Sequence, residues 1–208
     1  MKLHQLLTIG AFSLLALQSC KKDENEVSSP APPANESEVI TTLRITFTDS
    51  ANTADVRTAE FRDPDGPGGV AYDRFDTIRL DSNCTYFATI LLLNETASPV
   101  DTISNEVLEE ADDHLFCFTP SGSSASVTVT DRDGNNLPIG LQSTWITTSA
   151  GSGTMNVTLH HQPGIKNGDC ALGETDVEVL FVVEIEGEGR GTWGEGRGTR
   201  DVGRGTRG

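Results

Sequence analysis

Basic residues are scarce in this sequence. It has 15 lysines and arginines against 31 aspartates and glutamates in 208 residues, which gives a formal net charge of −16. Proteins that bind nucleic acid present clusters of lysine and arginine to the phosphate backbone. The acidic balance therefore argues against nucleic acid as a partner and makes cations or basic surfaces better ones.

The chain also lacks an apolar run long enough to form a membrane-spanning helix. The N-terminal run LLTIGAFSLLAL, residues 6–17, has 12 residues, whereas a spanning helix needs about 20. It follows a lysine, Lys2, and ends before small and polar residues, which is the pattern of a secretory signal peptide. We therefore predict a signal peptide over residues 1–19.

Catalytic motifs are absent from the sequence as well. It contains no G-x-S-x-G, H-E-x-x-H, P-loop or GxGxxG pattern, and these are the short motifs with a known mechanism that a hydrolase, metalloprotease or nucleotide enzyme would show. The pair His160-His161 falls on a predicted strand, where the two rings would face opposite sides. We therefore do not expect an enzyme.

The residues around Cys20 indicate where the protein resides. Leu17, Ser19 and Cys20 resemble the lipobox of bacterial lipoproteins. That resemblance implies lipid attachment at Cys20, cleavage before it, and a stable anchor of more than one acyl chain. The charged residues 21–24, KKDE, resemble the export tag of Bacteroidota surface lipoproteins. The expected location is the outer membrane or cell surface, with a periplasm-facing anchor as the alternative.

Two segments have the composition of unfolded chain. Residues 20–37 contain three prolines and no apolar periodicity, which predicts a flexible tether. Residues 186–208 are rich in glycine and arginine, with GRGT at 189, 196 and 203. Such a segment buries too little apolar surface to fold, so we predict a disordered tail.

The region between them, residues 38–185, carries the signals of an all-β domain. Leu43, Ile45 and Phe47 alternate with polar residues, and this period of two predicts a strand. The same reasoning predicts further strands near residues 55–62, 72–80, 85–93, 114–119, 124–130, 141–148, 154–161 and 176–185. Many short strands separated by turn residues predict an antiparallel β-sandwich of immunoglobulin-like or Greek-key type.

Two features modify that pattern. Ile103, Val107 and Ala111 lie at i, i+4 and i+8, which predicts at most one short helix, with an acidic outer face that includes the segment 106–114. The segments TYFATILLLN and VEVLFVVEI are apolar at successive positions, so we expect central strands buried on both faces.

Two Asp-Gly loops contain alternating carboxylates. One holds Asp63 and Asp65, and the other holds Asp131 and Asp133. Calcium takes six to eight oxygen ligands, which such loops can supply. Neither loop completes an EF-hand pattern, and Asp-Gly is a common turn pair, so ordinary turns are favoured. Calcium is the only cofactor that the sequence raises, and these four aspartates are the candidate ligands.

Three cysteines remain in the body if Cys20 is acylated: Cys84, Cys117 and Cys170. An exported protein meets oxidising conditions, so one disulfide and one free thiol are expected. The sequence does not indicate which two residues pair.

Three short sites resemble the O-glycosylation sequon of exported Bacteroidota proteins, in which an aspartate precedes a hydroxyl residue and an apolar or small one. They place Ser50, Thr77 and Thr102 as candidate acceptors.

The body as a whole resembles a group of small Bacteroidota lipoproteins that are often labelled "type 1 periplasmic binding fold superfamily protein". The resemblance rests on FRDPDGPGG, TYFATILLLNET, EVLEEADDHLFCF, DRDGNNLPIGL and GTMNVTLHHQPGIK and covers about residues 35–185. The group has no established activity, so the resemblance implies no catalytic residue. The expected function is a lipid-anchored binding or display module with a protein or glycan ligand. The alternative is a calcium-stabilised, adhesion-like module.

Overall fold

The fold is known from a computed structural model, which describes residues 38–66 and 69–187. The predicted signal peptide, the tether and nearly all of the predicted tail lie outside these residues. Within them, no helix has the length and apolar character to cross a membrane.

The described residues form ten strands and one helix. The strands are β1 (Thr42–Asp49), β2 (Val56–Arg62), β3 (Arg74–Phe75), β4 (Ile78–Asp81), β5 (Thr85–Leu93), β6 (His114–Ser121), β7 (Ala125–Val129), β8 (Gln142–Thr147), β9 (Gly151–His161) and β10 (Glu174–Glu186). The helix is α1 (Ile103–Glu109). The prediction of an all-β domain with one short helix is confirmed.

The strands make two sheets that enclose one core. The larger sheet has the order β3-β2-β1-β5-β8-β7, and the smaller has the order β4-β10-β9-β6. Neighbouring strands are antiparallel except β4 and β10, which run parallel. The sandwich prediction is therefore confirmed, with one parallel pair at the edge of the smaller sheet.

Residues that alternate along the strands fill the core. Leu43, Ile45 and Phe47 of β1 are almost fully buried, together with Trp145 of β8 and Phe181 of β10. The rings of Phe47 and Trp145 meet edge to face with centroids 5.0 Å apart, a favoured arrangement of aromatic pairs. Burial of this one face accounts for the period of two in the sequence.

The expectation that β5 and β10 are buried on both faces is wrong. Both strands do lie inside their sheets, between two neighbours. Their outer faces nevertheless carry exposed apolar side chains, Phe87 on β5 and Leu180 and Val182 on β10. In a two-layer sandwich only one face of each sheet meets the core, so an apolar residue on the outer face stays in contact with solvent.

The predicted strand over residues 72–80 is two strands in the structure. Strand β3 pairs with β2 in the larger sheet, whereas β4 pairs with β10 in the smaller one. The chain crosses between the sheets at Asp76 and Thr77. Apolar residues lie on both sides of the crossing, since Phe75 contacts Phe181 and Ile78 is buried in the core.

A disulfide joins Cys117 on β6 to Cys170 in the loop between β9 and β10. Cys84 is the free cysteine among the described residues. The expectation of one disulfide and one free thiol is met, and the structure supplies the pairing that the sequence left open.

Candidate functional site

The candidate site lies where β6 begins and β9 ends. His114 is the first residue of β6 and His161 is the last residue of β9, and the antiparallel register places them opposite each other. Their rings stack with centroids 4.8 Å apart and an angle of 13° between the planes. His160, the neighbour of His161, faces the other side of the sheet and contacts Thr158.

The buried imidazole of His114 is held in one orientation. Its side chain is only 1% exposed, and its Nδ1 lies 3.2 Å from the backbone carbonyl oxygen of Glu110. Because a carbonyl oxygen only accepts hydrogen bonds, Nδ1 is the ring nitrogen that carries the proton. The lone pair of Nε2 is then directed away from Glu110 and toward two acidic side chains.

Those two acids are Glu38, just before β1, and Asp176 on β10. Glu38 Oε1 and Asp176 Oδ2 each lie 4.0 Å from His114 Nε2. Asp176 sits at an irregularity in the β9–β10 pairing, between Thr175 and Val177. A bulge of this kind turns a side chain out of the normal strand alternation.

The two carboxyl groups have oxygens without a hydrogen-bond partner. Asp176 Oδ2 and Glu38 Oε2 are both buried, and neither has a donor within reach among the described residues. The Asp176 side chain is only 3% exposed. A buried polar atom without a partner is costly, so this arrangement calls for a proton, a water or an ion to complete it.

The electrostatics of the cluster follow from its burial and its like charges. Burial, with the nearby charges of Glu106, Asp176, Glu110 and Asp101, raises the pKa of Glu38 to about 7. Burial also raises the pKa of Asp176 and lowers the pKa of His114. At neutral pH His114 is therefore a neutral ring, and it faces Glu38, which is only partly ionised there.

We call Glu38, Glu110, His114, His161 and Asp176 the His114 cluster. One ligand atom from each of Glu110, His114 and His161 lies within 4.8 Å of the other two. Glu110 is exposed at the solvent side of the cluster. The cluster thus combines two imidazoles and three carboxyl groups, and its chemistry is that of a site for protons or for a cation.

The loop with Asp131 and Asp133 already has cationic and N–H partners. Asp133 Oδ2 accepts a hydrogen bond of 2.7 Å from Lys166 Nζ, and the two side chains are 0% and 2% exposed. Burial raises the pKa of Asp133, but Lys166 and the backbone N–H of Leu137 outweigh it and lower that pKa overall. Asp131 accepts from the backbone N–H groups of Gly140 and Gln142.

The loop with Asp63 and Asp65 is different, because its two carboxyl groups contact each other. Burial and the hydrogen bond to Asp65 raise the pKa of Asp63. Asp63 Oδ1 is buried with no partner among the described residues, and Asp65 Oδ2 accepts from the backbone N–H of Val70. Calcium binding stays a prediction at both loops.

Addition of calcium chloride to metal-free protein is expected to leave the melting temperature unchanged if these loops are ordinary turns. At Asp133 the ammonium group of Lys166 already neutralises the carboxylate that a calcium ion would need. A site filled at 100 times its dissociation constant would add about 2.7 kcal/mol, a rise of about 5–11 °C for a chain of this size. Differential scanning calorimetry measures the difference. A rise of that size would contradict the turn interpretation, and Asp63→Asn and Asp131→Asn would then show which loop binds.

The other predicted sites are dispersed over the chain. Ser50 is exposed in the turn after β1, whereas Thr77 and Thr102 are partly buried, between β3 and β4 and at the start of α1. Their glycosylation stays a prediction. Cys20 lies outside the described residues.

The His114 cluster was not found from the sequence. Its members come from the segment before β1, the turn after α1 and three strands of the smaller sheet. The His160-His161 pair was noted, but the partner of His161 is a histidine 47 positions earlier, brought there by strand register.

Comparisons of the chain with protein-family models, with curated proteins and with solved structures each found no match.

Proposed function

We propose that this protein is a lipid-anchored lipoprotein of the cell envelope, whose β-sandwich works by binding or display and not by catalysis. The observation that carries the proposal is Cys20, which follows a 12-residue apolar run and a small residue and precedes dense charge. We place the anchor in the outer membrane or at the cell surface. We also propose membership of the Bacteroidota lipoprotein group that the body resembles.

The disulfide supports the exported location. Cys117 and Cys170 are bonded across a sequence separation of 53 residues. Disulfides of this kind persist in the periplasm and at cell surfaces and are rare in the reducing cytosol. The chemistry of the body therefore agrees with the secretion signal at its N-terminus.

The outer face of the larger sheet supports a binding role. Phe87 on β5 is 54% exposed and Ile146 on β8 is 46% exposed. Phe87 is paired with Thr144, and Ile146 is paired with Thr85, so the two apolar side chains lie side by side among threonines. A flat face with an aromatic ring and flanking hydroxyl groups offers stacking and hydrogen bonds to a protein or glycan ligand.

Cys20→Ser is expected to abolish lipid attachment. Serine keeps the size and polarity of the site but lacks the thiol that accepts the lipid. The acidic body is repelled by anionic lipid, so it does not hold a membrane by itself. Cells that express the wild type or the variant are labelled with an alkyne-tagged palmitate, and the label on each protein is read after purification.

The matched control is Cys84→Ser, which removes the free thiol of the body and should keep the full label. Equal labelling of the wild type and Cys20→Ser would overturn the lipoprotein assignment.

The second candidate is a calcium-stabilised, adhesion-like module. The observation in its favour is the contact between the Asp63 and Asp65 carboxyl groups, which a cation would stabilise. The calcium titration described above decides between the candidates, since only this one requires a rise in melting temperature.

A further inference from the structure

The His114 cluster has the donor atoms of a transition-metal site. Imidazole nitrogen and carboxylate oxygen are the ligands that zinc takes most often besides thiolate, in tetrahedral sites with bonds of about 2.0–2.2 Å. Two ligand atoms at such distances lie about 3.4 Å apart. The separations of 4.0 Å from His114 Nε2 to Glu38 Oε1 and to Asp176 Oδ2 need to close by only a few tenths of an ångström per atom.

The hydrogen bond at Nδ1 of His114, the ring nitrogen that faces away from the two acids, is also typical of a metal-binding histidine. A metal-binding histidine almost always donates its other ring N–H to a carbonyl or carboxylate, which fixes the tautomer and aims the free nitrogen at the metal. The contact of 3.2 Å between His114 Nδ1 and the Glu110 carbonyl oxygen has that role. With the proton on Nδ1, the lone pair of Nε2 is the one available to coordinate.

The unpartnered carboxyl oxygens are an independent indication of a ligand. Asp176 Oδ2 is buried and has no hydrogen-bond partner among the described residues, yet it points toward His114 Nε2. Burying a carboxylate in this way is costly unless it is paired or coordinates a metal. A divalent cation between Asp176, Glu38 and His114 would satisfy both acids at once.

The local backbone is shaped to keep these groups together. Gly173, directly before β10, has φ of +81°, and a Cβ atom there would lie 2.2 Å from the carbonyl oxygen of His161. Only glycine allows this approach. The return of the chain beside His161 brings β10, and with it Asp176, to the end of β9.

We propose that the His114 cluster binds a divalent transition-metal ion, with zinc as the ion that best fits its nitrogen and oxygen donors. His114, His161 and Glu110, whose ligand atoms lie within 4.8 Å of one another, bring two nitrogens and one oxygen together, with Glu110 at the solvent side. Asp176 and Glu38, each 4.0 Å from His114 Nε2, supply the buried carboxylate ligands. This proposal is independent of the lipid anchor and of the Asp-Gly loops.

The test is titration of the purified, untagged full chain with zinc in competition with a chromophoric chelator, after metal has been removed by dialysis. We expect one equivalent of zinc to bind. Cobalt, used as a second probe, should give the visible absorption bands of a tetrahedral site with nitrogen and oxygen ligands.

Asp176→Asn is the decisive variant, because asparagine has nearly the same shape and removes a buried carboxyl group whose Oδ2 lacks a partner among the described residues. We expect the variant to fold and to lose at least tenfold in zinc affinity, since even the loss of an outer-shell partner costs about 10–100-fold. Thermal unfolding in the absence of metal verifies that the variant is folded, and its melting temperature should not fall below that of the wild type.

His160→Gln is the matched control. His160 is adjacent to His161 but faces the other side of the sheet, where it contacts Thr158. The variant also keeps the free thiol of Cys84, so any zinc bound by that thiol would be the same in both proteins. We expect zinc affinity and the cobalt spectrum to be unchanged. Equal zinc affinity of the wild type and Asp176→Asn would overturn the proposal. A cobalt spectrum that shows only the hydrated ion would overturn it as well, and the cluster would then bind protons and not a metal.

Discussion

Replacement of Lys166 by methionine is expected to lower the free energy of unfolding by about 3–5 kcal/mol, the usual cost of leaving one buried charge without its partner. The ammonium of Lys166 donates to Asp133 Oδ2 at 2.7 Å and to the backbone carbonyl oxygen of Ala111 at 2.6 Å. Methionine fills a similar volume but leaves the buried carboxylate of Asp133 without its cation, with only the backbone N–H groups of Asn135 and Leu137 donating to it.

The large effect follows from what this lysine connects. It joins the loop after β9 to the turn after α1 and to the loop between β7 and β8. These three segments also exchange hydrogen bonds from the backbone N–H of Gly134 to Asp112 and from that of Gly164 to Asp113. Loss of the central cation therefore weakens the whole end of the sandwich that holds the His114 cluster.

Urea unfolding monitored by circular dichroism measures this change, with Arg79→Met as the matched control. Arg79 pairs with Glu184 at the surface and is 55% exposed. An exposed pair contributes about 0–1 kcal/mol, so the control should differ little from the wild type. Equal losses in the two variants would contradict the buried ion pair. The double variant Lys166→Met with Asp133→Asn should recover part of the stability, because it removes the unpaired charge as well.

Removal of the disulfide is expected to cost about 4 kcal/mol. Cys117 and Cys170 are 53 residues apart in the sequence. In the chain-entropy model, a cross-link over a loop of that length lowers the entropy of the unfolded chain, and this stabilises the folded state by about 4 kcal/mol. The double variant Cys117→Ala with Cys170→Ala should therefore unfold at a much lower urea concentration than the wild type.

Cys84→Ala is the control for that experiment, because Cys84 is the free cysteine of the described residues and its thiol donates only a weak hydrogen bond, to the backbone carbonyl oxygen of Ser82. It should lose less than about 1.5 kcal/mol, as most small changes at partly buried positions do. Addition of a reductant should destabilise the wild type and Cys84→Ala but leave the double variant unchanged. A reductant effect on the double variant would contradict the assigned pairing.

The sequence predicted the sandwich because burial of one face forces a period of two, and this signal is local. It placed β5 at its observed bounds, Thr85–Leu93. It did not separate β3 from β4, because apolar residues lie close to the crossing on both sides, with Phe75 in one sheet and Ile78 in the other. It also took the apolar residues on the outer face of β10 as evidence of burial on both faces. Local pattern therefore fixes that a strand forms, but not the sheet to which it belongs.

The site depends on contacts between residues that are far apart in the sequence, and the local pattern of residues does not predict such contacts. His114 meets His161 through strand register, and Asp176 turns toward them at a pairing irregularity. The ion pair of Lys166 with Asp133 likewise joins two loops 33 positions apart. Each of these contacts is set by tertiary packing. The residue types were visible in the sequence, whereas their juxtaposition was not.

The central claim is that the chain is cut before Cys20 and held by lipid on that residue, and the mass of the mature N-terminal fragment tests it most directly. Protein is extracted from membranes with detergent, digested, and analysed by mass spectrometry. We predict that the first fragment begins at Cys20 and carries the added mass of diacylglycerol, together with an acyl group on its amine. A fragment that begins at any other residue, or an unmodified Cys20, would contradict the account.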